Sequence, residues 1–442
     1  MFVSILHLVF FVLYVFFSLT VLYILILSLG GKYFYREKYG TDVKGEETKN
    51  GANDIRGDIR GDIKGEIRGD LREQEPLRIA VLVPAYKEDG IILSTAHNLL
   101  SLDYPRELYD IYIIADSFKP ETVASLRKLA LTVMEVSFDR STKTKSLNEA
   151  FRRMEGEESF RRMDKGYDIA LICDADNMLA VDFLTRIRAA FSGGAKAVQG
   201  RRVAKNLDTS FAILDACSEG INNNIFRKGA NGIGLSSSVI GSGMAFGFDN
   251  VKEIMSGIDA VGGFDKILQL RVVGQGIRIQ YLESALIFDE KVDSSEAFQQ
   301  QRKRWVSSQF IYLKRFFLPA FGQLLKGNAS YFNLAVVSNL ILPRAFLLVI
   351  LPLLAVAGFF ISTGWGLLAA GTWLLYLLSL TAALPRELMT KDLGNALLKL
   401  PGAIFMMFGT LLHLRKANKT FIHTVHTKTE ISNSLFNNDK SK

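Results

Sequence analysis

Residues 169–177 read Ile-Ala-Leu-Ile-Cys-Asp-Ala-Asp-Asn. A short apolar run without alternation fits a strand covered on both faces, as in a parallel sheet. Two carboxylates follow the run at once. Working outward, comparable apolar runs lie at 79–83, 111–115 and 131–136, with helix-like stretches between them at 91–101 and 121–129. Strand and helix patterns that alternate in this way predict an α/β domain with a mainly parallel sheet, here over residues 76–310.

Open sheets of this kind take their ligands beyond the carboxyl ends of the strands, so the polar residues just after each run carry the reading. After the first run come Pro84, Ala85, Tyr86, Lys87 and Glu88; after the second comes Asp116; after the fourth come Asp174 and Asp176. Asp and Asn are common in plain turns. An Asp-x-Asp at one strand tip with a further Asp at another is more specific. Mg²⁺ or Mn²⁺ wants oxygen ligands and is commonly held by one or two carboxylates plus substrate phosphates. Asp174 and Asp176, with a diphosphate completing the sphere, fit that demand. Downstream lie a small-residue loop, Gly241-Ser242-Gly243-Met244, then Gly262-Gly263-Phe264-Asp265 and the basic-aromatic cluster Gln301-Arg302-Lys303-Arg304-Trp305. The first is not a dinucleotide-binding fingerprint, because it does not lead the first strand into a helix.

The rest of the chain reads as membrane protein. Residues 2–29 are almost wholly apolar, and about 20 such residues cross a bilayer. No positive charge precedes them and the run is too long for a signal core, which predicts a retained anchor. Lys32, Arg36 and Lys38 follow, placing the later chain in the cytosol by the positive-inside rule. Runs 345–361 and 364–384 predict two more spans, with Gly364 and Trp365 at the turn and Arg344 and Arg386 on the cytosolic side. A further run at 395–413 fits either a span or an interfacial helix, and Arg415, Lys416 and Lys419 keep the tail inside. Residues 54–73, Asp-Ile-Arg-Gly and its variants, predict a flexible tether, since glycine every fourth residue opposes a helix. The resulting order is anchor 1–31, linker 32–75, catalytic domain 76–310, interfacial helices 311–344, membrane helices 345–413 and tail 414–442. Two cysteines, Cys173 and Cys217, argue against a disulfide framework, and the five histidines have no zinc spacing. The net charge of +8 follows the membrane segments and brings no nucleic-acid motif with it, so membrane lipids rather than nucleic acid are the expected partner.

Taken in order, these motifs resemble family 2 glycosyltransferases, the group that contains cellulose, hyaluronan and poly-N-acetylglucosamine synthases. The matching pieces are Pro84-x-Tyr86-x-Glu88, Asp116, Asp174-x-Asp176, Gly241-Ser242-Gly243, an aspartate, and Gln301-x-x-Arg304-Trp305. The resemblance implies a GT-A fold, Rossmann-like, and a sugar-nucleotide donor, with UDP as the expected nucleotide. It implies that Pro84, Tyr86 and Glu88 line the nucleotide pocket and that Asp116 contacts the nucleoside. It places Lys145 near the nucleotide, Gly243 in the acceptor loop, and Asp174 and Asp176 on metal and diphosphate. Gln301, Arg304 and Trp305 would serve diphosphate and acceptor. Two departures stand out: the family usually has Asn at the place of Lys87, and a Glu-Asp pair where this chain has Phe264-Asp265. Asp265 is then the expected catalytic base, at the family's usual distance before Gln301.

The leading expectation is an inverting polysaccharide synthase, with a partner subunit for export because two or three C-terminal spans are few for a pore. Transfer of one sugar to a lipid acceptor is the alternative, and an inactive nucleotide-binding relative a lesser one. A transporter is disfavoured, because the spans hold no ionisable residue except His7.

Overall fold

The computed structural model describes residues 2–38, 76–156, 166–260, 262–291, 295–402, 404–405 and 426–433, with the backbone alone for 2–3 and 295–305. The repeat at 54–73 and the segments 406–425 and 434–442 lie outside the described residues.

Eight strands form one sheet: β1 (Ile79–Tyr86), β2 (Tyr109–Asp116), β3 (Thr132–Val136), β4 (Ile169–Ile172), β5 (Met178–Leu179), β6 (Ala197–Ala204), β7 (Met244–Gly247) and β8 (Gln280–Asp289). Their spatial order is β3-β2-β1-β4-β7-β6-β8-β5. β3, β2, β1 and β4 run parallel, β7 lies antiparallel to both β4 and β6, and β6 and β8 pair in parallel. This is the mainly parallel α/β sheet expected of a GT-A domain. β1 shows why the apolar run does not alternate. Ala80 and Leu82 point into one core layer and Ile79, Val81 and Val83 into another, and all five are fully buried. The first layer is closed by α4 (Lys143–Gly156), α7 (Phe248–Ser256) and α8 (Phe264–Gly274); the second by α2 (Ile92–Leu100) and α5 (Phe183–Ser192). Helices on both faces leave the carboxyl edge of the sheet as the place where polar groups collect.

Three described helices are long and apolar enough to cross a membrane: one holding α1 (Phe2–Leu29), then α10 (Arg344–Ile361) and α11 (Thr363–Ala383). The last two match the runs expected from the sequence to within a residue or so. They pack with α1 through Phe10, Phe17, Leu27, Leu347, Leu351 and Tyr376, which fill the interior of the bundle. α9 (Ser295–Leu325) leads toward them and exposes Phe310, Ile311, Leu318 and Leu325, as an interfacial helix does. The run at 395–413 begins in the short helix α12 (Lys391–Leu397), and its end lies outside the described residues.

The anchor does not stop at residue 31. Its end winds on to Phe34 and packs against the segment Asn223–Gly229, where a Cβ on Gly229 would stand 2.1 Å from the Leu27 carbonyl oxygen. Tyr35 then donates to the Tyr281 carbonyl at 2.7 Å, and Glu37 accepts from the backbone N–H groups of Glu283 and Ser284 at 2.9 and 3.1 Å. The apolar helix α1 and the α/β domain are therefore joined by direct contact.

Candidate active site

The strand tips build one wall of a single cavity of 880 Å³. Pro84, Tyr86 and Glu88 follow the buried run of β1, Asp116 ends β2, and Asp174 and Asp176 follow β4; all six line the cavity. Two tips carry non-glycine residues in the left-handed region, Lys87 at φ 55 and Ser117 at φ 59. That conformation suits Asn better than most residues, which gives a physical reason for the Asn usual in the family at the place of Lys87. The sharp turn lets the Lys87 N–H reach the Asp116 carbonyl at 3.1 Å and aims the neighbouring side chains inward. Asp116 is buried. Its Oδ1 accepts from Ser117 at 2.9 Å, and Oδ2 has no hydrogen-bond partner among the described residues. An orphaned buried acceptor is costly unless a ligand supplies a donor.

Asp174 is held from two sides. Its N–H donates to Ser242 Oγ at 2.9 Å, and its carboxylate pairs with Lys143, whose Nζ also donates to the Gly241 carbonyl at 2.6 Å. The Gly-Ser-Gly loop thus orients Asp174 of the Asp-x-Asp. Gly243 itself lies off the cavity wall. At φ +56 it packs where a Cβ would meet Ile287 at 1.9 Å, so glycine is required there for fit. Lys145 is likewise elsewhere: its Nζ donates to the Arg140 carbonyl at 3.0 Å beside a separate surface depression. Lys143, two residues earlier, occupies the site instead.

Asp176 is buried beside a residue that the sequence reading missed. His426, from the C-terminal segment, approaches Glu88 with Nδ1 at 3.1 Å and Asp176 Oδ2 with Nε2 at 3.9 Å. The segment is tied down by backbone bonds from Thr427 and Lys428 to Glu290, and by Ser432 and Asn433 N–H groups to the Lys205 carbonyl. Burial raises the Asp176 carboxyl above the usual carboxylate range. Burial alone would lower His426, but Asp176 and Glu88 outweigh it and hold the imidazole protonated, up to about 9. Asn177 bridges Asp176 to Asp289, with 3.1 Å to each. Burial works against ionisation of Asp289 too, yet Lys291 at 2.8 Å and Arg202 keep it well below the usual range.

Asp265 also lines the cavity, in the first turn of α8. Gly263 caps that helix at φ +66, and a Cβ there would meet the Tyr312 ring at 2.8 Å. A Cβ on Gly241 would stand 4.0 Å from Asp265 Cβ, so Asp265 adjoins the loop that holds Asp174. Phe264, in place of the family's glutamate, is buried in the core with Lys143 Nζ 5.2 Å from its ring centroid. Asp249, by contrast, is exposed and paired with Lys252. Gln301, Arg304 and Trp305 lie on α9, and their side chains are outside the described residues. Ser308, Gln309 and Tyr312, further along that helix, line the cavity.

The profile of "Glycosyltransferase like family 2" matches residues 76–308, just over half of the chain and the whole of the region that forms this sheet and most of the cavity. The chain belongs to glycosyltransferase family 2. This glycosyltransferase is 25% identical over 246 residues to beta-monoglucosyldiacylglycerol synthase of Trichormus variabilis, a match covering 52% of this chain and 49% of that one. It is 23% identical over 266 residues to the probable glycosyltransferase YdaM of Bacillus subtilis, covering 56% and 58%. It thus spans about half the length of the curated relatives that it matches. Among solved structures it is similar to the mannosyltransferase PcManGT from Pyrobaculum calidifontis in complex with GDP-Man and Mn²⁺, at 19% identity and a TM-score of 0.40, covering 69% of this chain and 85% of that one.

Asp174 and Asp176 offer carboxylate oxygens of the kind a divalent cation takes. Two protein cations, Lys143 and His426, already converge on these carboxylates. Among the described residues no third His, Cys, Asp or Glu completes a ready-made set, so diphosphate oxygens and water would supply the remaining ligands.

Proposed function

We propose that this family 2 enzyme transfers a sugar, with inversion, from a sugar nucleotide to a lipid acceptor that enters from the membrane. The observation that carries the reading is the extent of the cavity. One end is the strand tips with Asp116 and Asp176; the other is walled by Asn333, Ser338 and Asn339. Asn333 Oδ1 accepts a 2.7 Å hydrogen bond from Tyr23 of the membrane helix α1. In this reading a lipid headgroup reaches the donor from the side of Asn333. Catalysis on the cytosolic side follows from Lys32, Arg36 and Lys38, and cytosolic sugar nucleotides suit it, UDP-sugars by resemblance.

In this reading Tyr86 and Glu88 flank the nucleoside and Asp116 Oδ2 accepts from it. Asp174 and Asp176 would hold Mg²⁺ or Mn²⁺, which when bound neutralises charge on the leaving diphosphate. Asp265 accepts the proton of the acceptor hydroxyl as that oxygen bonds to the anomeric carbon and the anomeric bond to the diphosphate breaks. A base must come within about 2.6–3.2 Å of that hydroxyl. Asp265 suits the task better than the other aspartates: Asp249 is outside the cavity, and Asp289 is held too acidic by Lys291 and Arg202.

A polysaccharide acceptor is the second reading, favoured by Gln301, Arg304 and Trp305. By helical spacing they fall on the face of α9 that continues to Ser308, Gln309 and Tyr312. The two readings separate when membranes holding the enzyme are incubated with radiolabelled sugar nucleotides and extracted. We expect the label in the organic phase as a glycolipid; label in insoluble polymer alone would reject the lipid reading.

A further inference from the structure

The half of the cavity away from the nucleotide end is unevenly charged. Arg202 of β6 and Arg227 both pair with the one carboxylate of Glu219, each at 3.1 Å. Arg227 also donates to Asn223 Oδ1 at 2.8 Å. Arg227 and Glu219 are buried, with relative exposures of 5% and 4%, and the Nε atoms of Arg202 and Arg227 have no hydrogen-bond partner among the described residues. A third cation, Lys266, lines the same wall next to Asp265, and its ammonium has no hydrogen bond or ion pair among the described residues. Asp289, 3.8 Å from Arg202, is already matched by Lys291. Arg315 and Asp259 line the cavity as well, so four cations face three carboxylates, Glu219, Asp259 and Asp265, and in the proposed mechanism Asp265 is committed to the acceptor. Burial pulls the Lys266 ammonium below the usual lysine range, while the neighbouring Asp265 works the other way. Lys266 is half-buried, and an ammonium without a paired carboxylate there favours an anion beside it.

We infer that Lys266 and Arg227 bind the phosphate of the acceptor, so that the acceptor is a phosphate-bearing lipid rather than an uncharged glyceride. The inference rests on the lipid reading above. The donor's diphosphate is the other possible source of a phosphate, but it belongs at Asp174 and Asp176, where Lys143 and His426 already supply positive charge. Arg227 sits instead in the segment Asn223–Gly229 that packs against the membrane helix, and Lys266 sits beside the proposed base. A phosphate held there brings a neighbouring hydroxyl of the same headgroup toward Asp265.

The test uses the full-length protein in detergent and calorimetry with dihexanoyl phosphatidic acid, with dihexanoylglycerol as the uncharged control. Wild type should bind the phosphatidic acid, and K266Q should weaken that binding at least tenfold. Control binding should stay within twofold in both proteins. R227K, which keeps the charge and protects the fold, should bind within a few-fold of wild type. Saturating UDP with Mg²⁺ should leave phosphatidic acid binding in place. Equal binding by wild type and K266Q overturns the inference, and so does full displacement by UDP, which would assign these cations to the donor. The labelling experiment fails independently: phosphatidic acid binding that depends on Lys266, with label only in polymer, rejects the lipid acceptor and leaves an anion site standing.

Discussion

In the proposed mechanism Asp265 is the base. D265N keeps shape and removes the basic oxygen. Transfer should fall by about 100-fold or more, the range typical of a lost general base, while calorimetric binding of the sugar nucleotide stays unchanged. Transfer within a few-fold of wild type would send the search to another base. Gly263 is the test of its positioning. Alanine there must take φ +66 and bring its Cβ within 2.8 Å of the Tyr312 ring. We expect G263A to cost about 1–3 kcal/mol in stability and to lower kcat with it, since α8 and Asp265 must shift. An unchanged melting temperature would show that the turn relaxes freely. At this scale the sequence was only partly legible. The strand-tip carboxylates announced themselves because each follows an unbroken apolar run. The choice between Lys143 and Lys145 did not. Two residues on a helix point about 200° apart, so only the phase of α4 decides which lysine faces the site.

Among the elements, β1, β2, β4 and the spans α10 and α11 were readable from hydropathy alone, because burial on both faces or in lipid leaves unbroken apolar runs. β7 was not. Its four residues follow a glycine loop and owe their strand conformation to pairing with β4 and β6. The returning C-terminal segment was also invisible, since no local period marks chain that docks through backbone bonds to Glu290 and Lys205. Its His426 lies against Asp176, the proposed metal ligand, and would compete with a metal there. H426A should therefore lower, a few-fold, the Mn²⁺ concentration needed for half-maximal activity after chelation. A raised requirement would mean that the histidine helps to hold the loaded site.

For the whole molecule, topology can be tested with single cysteines in a C173S/C217S background. A cysteine placed at Gly61 in the repeat should resist impermeant maleimide applied from outside intact spheroplasts. One at Ser362, between α10 and α11, should react. The reverse pattern would place the catalytic domain on the outer face and remove its supply of cytosolic donor. The docking of the anchor end has a kinetic consequence. With Tyr35 and Glu37 bonded to β8, the domain has little freedom to tumble relative to α1. On the lipid reading, enzyme and lipid would then search for each other by lateral diffusion in one plane, with the rotational part of the encounter largely settled beforehand. Orientation of that kind is a large share of what makes a bimolecular step fast. Cutting Tyr35 and Glu37 loose would cost the enzyme encounters with lipids in a bilayer, while a water-soluble acceptor, arriving from every direction, would be turned over as before.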